Sequence, residues 1–131
     1  MSLLEQYLKE MEKDAFFDDF TIKETQMKLP AIKHKWVGRL IRHKQELNSK
    51  IRQKDDLKKR LVEEAKKNSA YQVSTPALEK IVSNHSSMRV IQEEISDVEL
   101  LIELLEKGEK LFTGMSFDIK NLVEIMKMET L

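Results

Sequence analysis

The apolar residues in the second half of the chain recur at helical spacing over a long stretch. From position 88 onward they follow at intervals of three and four, the heptad pattern of a helix that packs along a coiled-coil seam. The stripe is broader than one partner helix can cover, and a chain of this length offers few helices to cover it. We therefore predict an interface between copies of the chain, with packing inside one chain as the alternative. The predicted interface residues are Met88, Ile91, Ile95, Val98, Ile102 and Leu105.

The ends of this long helix carry capping and helix-breaking residues. Ser74 or Thr75 is placed to cap it, with Pro76 at its first position. Gly108 and Gly114 are expected to end it in steps, before a last short amphipathic segment.

The first half of the chain predicts two further helices. A short apolar stripe follows Ser2, a candidate N-cap, and predicts a helix that runs to about Glu12. A second helix should begin near Asp19 or Thr21 and continue to about residue 67, with a break or kink at Pro30. Three phenylalanines between these helices are interpreted as a small core plug in preference to a docking patch: Phe16, Phe17 and Phe20.

The apolar stripe of the second helix includes Trp36 and is interrupted by three lysines, Lys44, Lys54 and Lys58. A lysine on a core-facing stripe costs stability unless its stem lets the ammonium group reach water. This face is therefore expected to be partly a groove or a rim, not a sealed seam.

The charged residues divide the chain into three blocks, although its net charge is zero. Residues 28–67 hold fourteen Lys and Arg against five Asp and Glu, a net charge of +9, and both flanks are acidic. Such a block suits a polyanion or an acidic partner, while neutralisation by the acidic flanks is the plainer alternative. No zinc module and no helix-turn-helix is evident, which favours single-stranded DNA over a duplex. The candidate DNA contacts are Lys35, Arg42, Lys44, Lys54, Lys58, Lys59 and Arg60.

Two aromatic residues, Trp36 and Tyr71, lie near the basic block and could stack on bases. For Trp36 the position on an apolar stripe favours packing in the core.

Membrane-surface binding is disfavoured by the lysines on the apolar face, and no run of apolar residues is long enough for a transmembrane helix. A cytoplasmic location fits best, because the chain has no cysteine.

The residue types of catalytic and metal sites are missing or badly spaced. Three isolated glycines cannot build a phosphate-binding loop. His34 and His43 face opposite sides of one helix, and His85 falls on an apolar stripe, where a core histidine is the favoured interpretation. Adjacent carboxylates point about 100° apart on a helix and are expected to be solvated. We predict no enzymatic activity, no metal site and no cofactor.

Short motifs along nearly the whole chain point to one known family. They comprise Lys13, Asp14, Phe17, Asp19, Lys35, Trp36, the run from Leu57 to Leu61, Gly114, Phe117, Ile119 and Lys120. In order and spacing the chain resembles the UvsY recombination mediators of T-even-type bacteriophages. It departs from the family pattern at Lys59, where a small residue is usual, and in the connector at 68–80.

The resemblance implies a non-enzymatic protein that binds single-stranded DNA in the cytoplasm of an infected bacterial host cell. Such a mediator helps to load a RecA-like recombinase of the UvsX type onto strands coated by the phage single-strand-binding protein. Members form ring-like homo-oligomers, so a hexameric or heptameric ring is implied. The family's DNA-binding positions map onto Lys58 and Arg60, with Lys59 as an addition.

We therefore predict an all-α fold, an elongated helical hairpin or bundle subunit that assembles through a long C-terminal helix into a ring-like homo-oligomer. Residues 1–70 should form an N-terminal helical region with the single-stranded-DNA-binding block, and residues 71–131 a C-terminal oligomerisation region. The alternative is a helical oligomeric adaptor whose basic block binds an acidic protein partner.

Overall fold

The structure is a computed structural model that describes residues 1–68 and 74–130. Within these ranges the chain forms four helices and no strand, which confirms the all-α prediction. The helices are α1 (Leu3–Ala15), α2 (Ile22–Asn68), α3 (Thr75–Ser83) and α4 (Ser86–Glu129). The predicted boundary between residues 70 and 71 lies outside the described residues, as does Tyr71.

The capping residues identified in the sequence correctly predict where α1 and α3 begin. Ser2 caps α1, because its side chain accepts a hydrogen bond from the backbone N–H of Glu5 at 3.2 Å. Ser74 caps α3 in the same way, accepting from the N–H of Ala77 at 3.4 Å. Both serines satisfy N–H groups that have no partner inside the helix.

Pro30 does not break α2, which continues through it to Asn68. A proline within a helix removes one N–H donor, and here that donor would have bonded the carbonyl of Gln26. The side chain of Pro30 is exposed, so the disturbed turn lies where water can bond the freed carbonyl.

The predicted single helix from Pro76 onward is wrong, because α3 ends before α4 begins. Asn84 is the C-cap of α3, and His85 starts α4 by accepting the N–H of Ser87 on its Nδ1 at 3.1 Å. The interpretation of His85 as a core histidine is also wrong, since its side chain is exposed. The apolar period continues across this break, so periodicity alone could not reveal it.

The two glycines expected to end the long helix lie inside α4 instead. Gly108 is buried, and a Cβ atom at its position would lie 2.6 Å from Cε of Met11 in α1. This glycine therefore permits close approach of a neighbouring side chain and does not serve as a cap. Apart from the backbone of its own helix and its chain neighbours, no described atom lies within 4 Å of such a Cβ at Gly114, so no packing contact there requires a glycine.

The described chain divides into two compact units. Unit 1 comprises Met1–Arg42 and the chain from Leu101 onward, and unit 2 comprises His43–Leu100. The centre of unit 1 is an aromatic cluster around Trp36, which is 1% exposed. The ring of Phe112 stacks on Trp36 at 6.4 Å between centroids, and Tyr7 packs edge-on at 5.5 Å.

Unit 2 has its own apolar core. Val62 from α2, Leu78 and Val82 from α3, and Met88 from α4 form a buried cluster. Three partly buried residues of α2 pack against it: Leu57, Leu61 and Ala65.

All six residues predicted to form the oligomer interface are buried within the single chain: Met88, Ile91, Ile95, Val98, Ile102 and Leu105. Their own chain covers them, so each leaves at most 9% of its surface exposed. The breadth of the stripe reflects packing inside the chain, the alternative raised from the sequence.

Candidate nucleic-acid interface

The N-terminal part of the basic block is held by the acidic residues of α1. Lys35 donates to Oδ2 of Asp14 at 2.6 Å and lies 3.8 Å from Oε1 of Glu10. Arg39 forms an ion pair with the same Glu10 and lies over the rings of Tyr7 and Trp36. In this part of unit 1 the acidic flank does neutralise the basic block. Lys35 thus has a structural role beside its predicted DNA contact.

Trp36 packs in the core, as favoured from the sequence. Its Nε1–H donates to Oδ2 of Asp14 at 2.8 Å, so the one polar atom of the buried ring is satisfied. Base stacking by Trp36 is therefore excluded in this conformation.

Lysine side chains join α2 to α4 in unit 2. Lys50 forms an ion pair with Glu94 at 3.1 Å, and Lys54 donates to Oε1 of Gln92 at 2.5 Å. Lys50, Lys54 and Lys58 are partly buried, as expected of lysines whose stems lie against apolar surface while the ammonium groups stay near water. Of the three lysines on the predicted stripe, Lys54 and Lys58 lie at such a rim, whereas Lys44 is exposed.

A cleft of about 400 Å³ opens in unit 2 beside these lysines. Three cationic side chains line it: Lys54 and Lys58 from α2 and Arg89 from α4. The remaining lining residues are Ser83, Met88, Gln92 and Glu93, so one carboxylate faces three cations. Among the described residues, none of the three cations forms an ion pair. A cleft with excess positive charge suits an anion such as a phosphate.

The other candidate DNA contacts lie outside this cleft. Lys59 and Arg60 are exposed, and steps of 100° per residue turn them away from Lys58. Arg42 is exposed and donates from Nε to the carbonyl of Gly38 at 3.4 Å. Lys44 is also exposed. The structure therefore brings together only Lys54 and Lys58 of the seven predicted contacts.

Sequence reasoning missed Arg89, which belongs to an acidic part of the chain, far from the basic block. Only the packing of α4 on α2 places it beside Lys54 and Lys58. A usable signal existed in the helical spacing, since Arg89 follows the buried Met88 directly and so borders the buried stripe.

The described residues contain neither a metal-binding cluster nor a membrane-spanning helix. No group of three or more His, Cys, Asp or Glu residues there could hold a metal ion. No described helix is both long enough and apolar enough to cross a membrane.

Over residues 1–68 and 74–130 the chain is an all-α arrangement of two long helices and two short ones, with a positively charged cleft between α2 and α4 in unit 2. Comparison with solved structures shows that this fold is that of the bacteriophage T4 recombination mediator protein UvsY. One crystal structure of that protein superposes with a TM-score of 0.83 at 16% identity, covering 98% of this chain and 99% of UvsY. A second crystal form gives a TM-score of 0.82 at 16% identity, covering 100% of this chain and 99% of UvsY.

The resemblance to UvsY mediators is thus confirmed at the level of the fold. No protein-family model and no curated protein matches the sequence.

Proposed function

We propose that this protein is a recombination mediator that binds single-stranded DNA through the cleft of unit 2. The observation that carries the proposal is the convergence of Lys54, Lys58 and Arg89 on one cleft in a chain with the UvsY fold. In this proposal the protein acts without catalysis in the cytoplasm of an infected bacterial cell. It promotes loading of a RecA-like recombinase onto strands coated by a single-strand-binding protein.

The binding chemistry of this cleft is electrostatic. Lysine and arginine neutralise phosphates and release counterions, which gives affinity with little sequence preference and a steep dependence on salt. The DNA held in this way favours the recombinase only if the recombinase prefers that DNA conformation to the coated one. The mediator's contribution is therefore to hold the strand in a state for which the recombinase has a higher affinity than it has for the coated strand.

The proposal includes a homo-oligomer formed through an exposed apolar stripe on the second half of α4. Leu111, Leu122, Ile125 and Met126 are exposed and lie within about 60° of Leu111 around the helix, a sector that also holds the buried Met115 between Leu111 and the other three. An apolar stripe of this kind suits a second copy of the same helix. A closed ring of subunits then multiplies a modest cleft affinity, since linked sites gain about a hundredfold or more in avidity.

The oligomer is tested by sedimentation of a variant with Leu111→Lys and Leu122→Lys. Leu111 is 51% and Leu122 39% exposed, so neither belongs to the buried core, and we expect smaller particles at equal protein concentration. Met128→Lys is the matched control, because Met128 is exposed on another face of α4. Unchanged sedimentation of the double variant would contradict this interface.

DNA binding is tested by fluorescence anisotropy of a labelled oligonucleotide, single-stranded against duplex, over a series of salt concentrations. The cleft variant carries Lys54→Gln, Lys58→Gln and Arg89→Gln, which keep the side-chain stems and remove three charges. If each cation contacts one phosphate, the slope of log K against log salt becomes shallower by about 2. A control with Lys110→Gln removes an exposed charge outside the cleft and should leave the slope unchanged.

A further variant with Lys59→Gln and Arg60→Gln separates the cleft from the exposed side of α2. A larger loss in this variant than in the cleft variant would move the DNA path out of the cleft. Negligible binding of the native protein to any oligonucleotide at physiological salt would favour an adaptor for an acidic protein, because carboxylates suit the same cations.

A further inference from the structure

The segment between α1 and α2 exposes two aromatic rings. Phe16 is 69% and Phe20 is 97% exposed, while Phe17 is partly buried. The interpretation of all three as a core plug is therefore wrong for Phe16 and Phe20. Large apolar side chains this exposed are characteristic of a surface that another molecule covers.

Hydrogen bonds of the turn fix the backbone that carries Phe20. Oδ1 of Asp18 accepts from the N–H groups of Phe20 and Thr21, both at 3.0 Å. Oγ1 of Thr21 accepts in return from the N–H of Asp18 at 2.9 Å. Because the turn is already ordered, binding through Phe20 loses little backbone entropy.

The charges beside the rings decide which class of partner fits. Residues 14–20 hold three aspartates and no basic residue. Asp14 is engaged by Lys35 and Trp36, whereas Asp18 and Asp19 are exposed next to Phe20. Exposed aromatic rings can stack on bases, but two carboxylates beside them repel the phosphates of a strand. A protein pocket with an apolar floor and a basic rim matches both features.

We propose that Phe16 and Phe20, flanked by Asp18 and Asp19, form a docking knob for a protein partner that has an apolar pocket rimmed by lysine or arginine. The rings fill the pocket and supply most of the affinity, and Asp19 pairs with the basic rim. Asp18 keeps the turn folded and so holds Phe20 outward. The choice of test proteins rests on the proposed function, since a mediator must contact a recombinase and a single-strand-binding protein.

The experiment measures binding of the full-length chain to the purified recombinase and to the purified single-strand-binding protein that act with it. The knob variant carries Phe16→Ser and Phe20→Ser, and a charge variant carries Asp19→Lys. Met27→Ser is the matched control, because Met27 is an exposed apolar residue of α2 outside the turn. We expect the knob variant to bind one of the two proteins at least tenfold more weakly, the charge variant to bind it more weakly as well, and the control to bind like the native chain.

Three outcomes would overturn the proposal. Native-like binding of the knob variant to both proteins would remove the docking role. Loss of single-stranded DNA affinity in the knob variant would assign the rings to base stacking, and a change in its sedimentation would assign them to self-association. The affinity of the unmodified chain for single-stranded DNA is measured alongside these binding assays. Failure of the proposed DNA-binding function is therefore seen separately from failure of the knob.

Discussion

Asp14 joins α1 to α2 through two hydrogen bonds on one carboxylate oxygen. Its Oδ2 accepts from Nζ of Lys35 at 2.6 Å and from Nε1 of Trp36 at 2.8 Å. Asp14→Ala removes both bonds at once, whereas Asp14→Asn keeps an oxygen that can accept from Trp36. The two substitutions therefore separate the hydrogen bond to the indole from the ion pair with the lysine.

The two losses differ in size. Without Asp14, Nε1 of the buried Trp36 has no acceptor, and an unsatisfied buried donor costs about 1–3 kcal/mol. The ion pair contributes less, because the Lys35 side chain is one-third exposed and Glu10 remains at 3.8 Å. We expect Asp14→Ala to lower the free energy of unfolding by about 2–3 kcal/mol, and Asp14→Asn by about 1 kcal/mol.

The assay is urea unfolding followed by tryptophan fluorescence. Trp36 is the single tryptophan of the sequence and lies in unit 1, so its emission reports the unit that contains Asp14. With a slope of about 2 kcal/mol per molar urea, Asp14→Ala should lower the midpoint by about 1 M and Asp14→Asn by about half as much. Equal midpoints for the two variants would refute the role given to the indole hydrogen bond.

Four further predictions concern stability. Gly114→Ala should raise the free energy of unfolding by about 0.5–1 kcal/mol, because the site is exposed and has room for a Cβ. A circular-dichroism melt should show this as a higher melting temperature. Gly108→Ala should gain less or destabilise in the same circular-dichroism melt, since its Cβ displaces Met11. Ser74→Ala should cost up to about 1 kcal/mol by uncapping α3, and a cost near zero would contradict the capping role. Ile95→Asp should unfold unit 2, because this side chain is buried within its own chain and would place a carboxylate in the core. Circular dichroism should show the loss of helicity. A variant that stays folded and only dissociates would contradict that reasoning.

Features set by neighbouring residues could be predicted from the sequence. Ser2 caps α1 because a serine oxygen reaches an N–H three residues later, and that geometry needs no tertiary contact. The all-α class followed from the spacing of apolar residues, which is also a local property.

Features set by tertiary packing could not be predicted in this way. Gly108 resembles a helix end in the sequence, and only the position of Met11 reveals its packing role. The stripe from Met88 to Leu105 is broad enough for an interface, yet the chain covers it itself. Phe20 is apolar and was expected inside, but the hydrogen bonds of the Asp18 turn hold its backbone at the surface.

For the candidate site, the sequence identified the basic helix but not the cleft. Lys54 and Lys58 lie on one face of α2, and their position on the apolar stripe indicated a rim. Lys35 belongs to the same charge block and is nevertheless tied to α1. Net charge cannot distinguish these environments, because it contains no information about which acidic residues lie nearby.

The division into units also constrains how the chain can fold. Unit 2 is one continuous segment, whereas unit 1 joins the two ends of the chain and brings Phe112 onto Trp36. Closing a long flexible loop costs more entropy than closing a short one, so contacts between distant residues form late unless the intervening chain is already ordered. Unit 2 is thus expected to fold first and to shorten the search by which the aromatic cluster of unit 1 assembles. Mutations in the core around Val82 should then slow the appearance of native Trp36 fluorescence, although they lie in the other unit.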